Sequence, residues 1–254
     1  TKKQVKEKVM NIKELDELLH DEPNESKYDQ EYNEIIKNYL YGDVYQHGTL
    51  DLKLRQLILI VVDTTNHTLN ALKEHVIGAV NAKCDPVSIK EAIYQCSPYV
   101  GIGKVQDALE VVNTVFLEKN IKLPLESQAT VTKETRFEKG FDVQSAAFGR
   151  ENIQANHDNA APELKHIQNY LSEYCFGDFY TRKGLDLPTR ELITFVMLAS
   201  LGGCENQLRA HTQANLTVGN TREMLLETIT QCQPYIGFPR TLNAINIINE
   251  ITNK

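Results

Sequence analysis

Two stretches of this chain follow one pattern. Tyr39, Gly42, Asp43 and Tyr45 precede Leu50, Asp51, Leu52, Arg55, Leu57 and Ile58. Tyr174, Gly177, Asp178 and Tyr180 precede Leu185, Asp186, Leu187, Arg190, Leu192 and Ile193 in the same order, 135 residues on. After a one-residue gap the correspondence resumes: Leu72 and His75 match Leu208 and His211, and Glu91, Gln95, Cys96, Pro98, Tyr99 and Gly101 match Glu227, Gln231, Cys232, Pro234, Tyr235 and Gly237. So many agreements with a single gap indicate duplication. The period is far beyond that of a solenoid, whose units run to about 50 residues. The chain therefore reads as two fused copies of a small domain, copy one over 30–118 and copy two over 136–252, with 1–29 as an N-terminal helical extension. The Gly-, Asn-, Ser- and Thr-containing stretch 121–161 reads as a connector lying across the surface of copy two.

Apolar periodicity points to helices. Leu164, Ile167, Leu171 and Tyr174 recur at helical spacing after Pro162. Asp51 and Asp186 stand where a helix N-cap is needed, the second two residues before Pro188. Leu192, Val196 and Ala199 give the next helix its stripe, and Gly202-Gly203 breaks it. A helix over about 205–218 stops at Gly219-Asn220. Thr221 caps another, which Gln233-Pro234 is expected to end, and Leu242, Ile245, Ile248 and Ile251 mark the last. No alternating strand pattern or Asn-Gly or Asp-Gly hairpin turn is found, so the expected fold class is all-α.

Composition excludes several functions. The net charge is −7, a poor match to a phosphate backbone, so no nucleic-acid partner is expected. The Lys-rich start (Lys2, Lys3, Lys6, Lys8) reads as a solvated helix end. Residues 1–20 lack an apolar signal core, and the longest apolar runs are too short to cross a bilayer. With five cysteines, an odd number, reduced thiols in the cytoplasm are expected. No metal or cofactor motif appears.

Chemistry concentrates in copy two. Counted at 100° per residue, Cys204, Gln207 and His211 share one helix stripe, which is either a satisfied core network or a site. Glu191 is either a helix-end charge or an acid/base group facing that stripe. Copy one keeps Arg55 and His75 but has Gln56, Thr68 and Ala71 in place of Glu191, Cys204 and Gln207.

The run Gly177-Asp178-Phe179-Tyr180, Leu185-Asp186, Arg190-Glu191-Leu192-Ile193-Thr194, Leu208-x-x-His211, Gly219-Asn220-Thr221, Glu227, Gln231 and Tyr235-x-Gly237-x-Pro239 resembles the carboxymuconolactone decarboxylase family, as does the entry Arg136-x-x-x-Gly140. The resemblance implies an AhpD-like helical fold in tandem. It also implies a cofactor-free decarboxylation of a small-molecule substrate such as γ-carboxymuconolactone. His211 would be the acid/base, Arg190 the anion holder, Glu191 the orienting carboxylate and Cys204 a site-lining or reactive thiol. Gln207, Tyr235, Arg55 and His75 would contact substrate. Single-domain members form rings of six, so a two-copy chain is expected to trimerise. Alkylhydroperoxidase-like relatives carry Cys-x-x-Cys-x-x-x-His, and here Gln207 replaces the second cysteine. The alternative is then a one-cysteine peroxidase using Cys204 with Glu191 and His211. A further alternative is a ring-forming binding protein without chemistry.

Overall fold

The computed structural model describes residues 10–23 and 26–253. The Lys-rich start thus lies outside the described residues, as do residues 24 and 25 of the expected N-terminal extension. Helix α1 spans Ile12–Leu19, capped by Asn11 and Glu14 acting reciprocally. Copy one follows as α2 (Gln30–Lys37), a π-helical segment (Asn38–Val44), α3 (Leu52–Asn66), α4 (Leu69–Asn81), α5 (Pro86–Gln95), α6 (Ser97–Val100) and α7 (Ile102–Glu118). Copy two comprises α8 (Arg136–Phe148), α9 (Arg150–Asn159), α10 (Lys165–Tyr170), a π-helical segment (Leu171–Tyr180), α11 (Leu187–Leu201), α12 (Glu205–Thr217), α13 (Arg222–Ile236) and α14 (Phe238–Thr252). The described residues are all-α. No helix among them is long and apolar enough to cross a membrane, and no group of three His, Cys, Asp or Glu among them could hold a metal ion.

The helix starts follow from their caps. The Asp51 and Asp186 side chains accept from the backbone N–H of Leu54 and Thr189, and Thr221 does the same for Met224. Helices α3 and α11 are the two central elements and pack on one another. Each is buried on nearly every face, over 55–65 and 190–200. A helix buried on all sides belongs in the middle of a core. One apolar cluster accordingly runs through both copies, with Ile58, Val61, Leu72, Ile193, Phe195, Met197 and Ile229 all buried in it. The two repeats are therefore halves of one core.

Three local expectations change. The stretch 121–161 holds helices α8 and α9, and α8 lies tightly along the π-helical segment of copy two. Glycines permit this approach: a Cβ on Gly140 would overlap the carbonyl of Ser172 and the backbone of Gly177, and one on Gly177 would overlap the carbonyl of Arg136. The stripe Leu164, Ile167 and Leu171 faces outward, and the helix it begins widens to π geometry at Leu171. Pro234 lies inside α13, which continues to Gly237, where φ is +80°. Proline removes one intrahelical bond, and here the helix end comes three residues later.

Candidate active site

Glu191 on α11 and His211 on α12 meet inside copy two. The Nδ1 of His211 lies 2.9 Å from Glu191 Oε2, and only 8% of the histidine is exposed. The Tyr180 hydroxyl, at the end of the π-helical segment, donates to Glu191 Oε1 at 2.7 Å and lies 2.9 Å from Thr194 Oγ1. Both carboxylate oxygens thus have partners, as a fully buried carboxylate requires. Asn215 ties the two helices together by donating to the carbonyls of Glu191 and His211, and Asn220 in turn donates to Asn215.

The other copy completes the cluster. Tyr99, at the end of α6 in copy one, places its hydroxyl 3.1 Å from that of Tyr180 and its ring edge-on to His211. Phe148, the last residue of α8, packs edge-on at 4.9 Å against the same imidazole. The Cys175 thiol donates to Tyr99 at 3.5 Å. Burial raises Tyr99 and Tyr180 well above the ordinary phenol range, with neighbouring Cys175 and Glu191 adding to it, and pushes Cys175 up to about 12. These hydroxyls and this thiol are neutral donors near pH 7. With Nδ1 held by Glu191, Nε2 has no protein hydrogen-bond partner among the described residues and is the nitrogen left for chemistry.

Arg190 stands apart from this cluster. Fully buried, it donates to the carbonyls of Leu185, Arg182 and Lys183, to Gln95 at 2.9 Å and to Glu91 at 3.2 Å. Glu91 and Gln95 belong to copy one, and Glu91 is also paired with Arg182. The guanidinium bolts the copies together and is not available to hold a substrate anion. Arg55 is likewise buried on the carbonyls of Val44, His47 and Leu50, so it is not a substrate contact. Its neighbourhood mirrors that of Arg190: Glu227 of copy two accepts from the backbone of Thr49 and Leu50, and Gln231 donates to Val44.

The stripe of Cys204, Gln207 and His211 does not form. Cys204 is the N-cap of α12 and has non-helical dihedrals, so a helical count started from it is out of phase. Gln207 is exposed. The Cys204 thiol donates to the carbonyl of Leu198, and burial followed by the charge of Glu205 raises its pKa. A peroxidatic thiol needs the opposite shift, so the peroxidase alternative loses its geometric basis. His75 and Tyr235 do come together, but in copy one: His75 Nε2 lies 3.2 Å from the Tyr235 hydroxyl, and Nδ1 faces Asp63. Tyr180, Phe148 and Asp63 were not anticipated as site residues. Tyr180 lies in the duplicated Gly-Asp-x-Tyr motif, a signal that could have revealed it, whereas Phe148 and Asp63 carry no repeat signal.

An AhpD-like helical domain present in tandem, with a buried Glu–His pair on facing helices of the second copy, defines the class. Residues 30–114 and 165–250 each match the carboxymuconolactone decarboxylase family, and the chain belongs to that family. It is 30% identical over 118 residues, 46% of this chain and 87% of the relative, to a 4-carboxymuconolactone decarboxylase of Acinetobacter baylyi. It is 25% identical over 117 residues, 46% of this chain and 81% of the relative, to a nitrosuccinic acid decarboxylase of Metarhizium robertsii. An uncharacterised 15.0 kDa protein of Paracoccus denitrificans is 34% identical over 82 residues, 32% of this chain and 61% of that protein.

Proposed function

We propose that this protein is a decarboxylase that removes carbon dioxide from a small carboxylated lactone at the Glu191–His211 pair of copy two, without a cofactor. The observation that carries the reading is the His211 imidazole, held at Nδ1 by the buried Glu191 carboxylate and flanked edge-on by the rings of Tyr99 and Phe148, with Nε2 left unpaired. The similarity to two decarboxylases of carboxylic acids supports the reaction class.

Decarboxylation breaks the bond to the carboxylate carbon and leaves the electron pair delocalised into the lactone carbonyl. His211 in its protonated form is the cation that stabilises this enolate, and Nε2 then returns one proton to carbon. Glu191 keeps the imidazole oriented. With Arg190 committed to Glu91 and Gln95, the positive charge of the site resides in this histidine.

Incubation with 4-carboxymuconolactone in D2O, followed by NMR, tests the proposal. It requires loss of the carboxylate carbon and one solvent deuteron per product. Unchanged substrate at high enzyme concentration contradicts it.

The assembly belongs to the same reading. Tyr32, Ile35 and Ile102 in copy one and their repeat counterparts Ile167, Tyr170 and Phe238 in copy two are all exposed. Large apolar side chains exposed twice at equivalent positions suit burial against further copies, as in a trimer with pseudo-sixfold symmetry.

A further inference from the structure

Copy one is rewired rather than emptied. The counterpart of Glu191 is Gln56, whose Nε2 donates to the Tyr45 hydroxyl at 2.7 Å. In copy two the same hydrogen bond runs the other way, from Tyr180 to the carboxylate. An amide N–H only donates, so the Tyr45 proton is released for a different acceptor. A new carboxylate has appeared as well. Asp63, seven residues along α3 from Gln56 and fully buried, holds Nδ1 of His75 and accepts from Thr68 at 3.0 Å. His75 Nε2 and the Tyr235 hydroxyl lie side by side, and their rings meet edge-on at 5.0 Å.

Between these groups the fold leaves a cavity of about 160 Å³, lined among others by Tyr41, Tyr45, Gln56, Glu74, His75 and Tyr235. A dry cavity of about 150 Å³ accommodates benzene in another protein, so the volume suits one ring. Four tyrosines, Tyr32, Tyr41, Tyr45 and Tyr235, supply aromatic walls. The basic groups in the lining already have partners. Lys37 pairs with Asp16 at 2.6 Å, the two histidines are held by Tyr41 and Asp63, and burial raises the pKa of half-buried Glu74. An anion would find no uncommitted cation, and it would face Glu74.

We infer that copy one holds a second binding site, for a neutral ring-sized compound whose carbonyl or hydroxyl oxygen accepts the Tyr45 proton beside His75 and Tyr235. The site does not depend on the chemistry assigned to copy two. It explains why the duplicated domain keeps its histidine and the tyrosine from the other copy after losing the glutamate.

Phenol is the probe, titrated into the full-length protein and followed by two-dimensional NMR, with benzoate in parallel. Saturable phenol binding that perturbs resonances of copy one, with weaker benzoate binding, is expected. Tyr45→Phe should weaken phenol about tenfold, as loss of one buried hydrogen bond does. Gln56→Glu should weaken it similarly, because the carboxylate reclaims the Tyr45 proton while the hydroxyl stays in place. His211→Gln should leave phenol binding unchanged. The inference is overturned if phenol does not saturate, if both copy-one variants bind like the parent, or if His211→Gln abolishes binding. Far-ultraviolet circular dichroism establishes that each variant is folded, and Gln56→Glu remains informative if Tyr45→Phe is not.

Discussion

Arg190 and His211 illustrate how differently two residues shared by both repeats can be used. The arginine is buried among groups of the other copy, some of them 95 and 99 residues away in sequence. The histidine keeps one nitrogen unpaired. Replacing Arg190 with Met strands part of a buried charge network, a loss worth about 3 kcal/mol, softened because Glu91 keeps Arg182. Thermal unfolding should register that loss while the KM of the folded enzyme stays as in the parent. A substrate-holding arginine would give the reverse, a raised KM at unchanged stability. Cys204, with its raised thiol pKa, should alkylate with iodoacetamide at pH 7.5 more slowly than a free thiol. Mass spectrometry would measure this, and labelling faster than free cysteine would restore the peroxidase reading. The contact between Glu191 and His211 was one of two readings open in the sequence, since a carboxylate near the start of α11 can serve the helix end or face the next helix. The role of Arg190 was not legible, because it depends on residues brought close only by the fold. Gln207 shares the face of His211 on α12 but stands one turn earlier, in the first turn of the helix, where that face is exposed.

Helix α8 and the π-helical segment are the elements that build the front of the site. The segment turns Cys175, Phe176 and Tyr180 inward as one buried cluster, and α8 delivers Phe148. Their backbones touch at Gly140 and Gly177, so Gly140→Ala forces them apart. The expected cost is about 1–3 kcal/mol, visible as a lowered midpoint in thermal unfolding, together with reduced turnover because Phe148 shifts. An unchanged midpoint would mean the close approach has slack. The caps at Asp51, Asp186 and Thr221 were readable because capping chemistry is local. Helices α8 and α9 were obscured because their polar residues outnumber a narrow apolar face. The π-helical widening was equally hidden: it changes which residues face the core without changing the composition that signals a helix.

Across the whole molecule the repeats exchange parts. Tyr99 of copy one closes the site of copy two, and Tyr235 of copy two closes the cavity of copy one. Neither copy would retain its cluster if separated. The same tyrosines predict a pH limit. Tyr45, Tyr99, Tyr180 and Tyr235 are raised by burial, Tyr45 to about 12, while an unfolded chain releases these protons near the ordinary phenol value of about 10. Their protonated forms therefore favour the folded state fully below about pH 10. Stability should fall as pH rises above that value toward the folded pKa values. Chemical denaturation across that range would show it, and a flat profile would contradict the burial of these hydroxyls. In sedimentation, the exposed apolar pairs predict a mass near three chains of 28.8 kDa; a mass near one chain would remove the trimer. The duplication was readable at this scale, but the crossing of tyrosines between copies was not, since repeat matching pairs each residue with its twin and never with its neighbour. The central claim is tested most directly by comparing carbon dioxide release from 4-carboxymuconolactone by the parent, His211→Gln and Cys204→Ser proteins. A loss of about 100-fold or more in the histidine variant, with the serine variant close to the parent, is the predicted result. Release sustained without the imidazole but abolished without the thiol would contradict it.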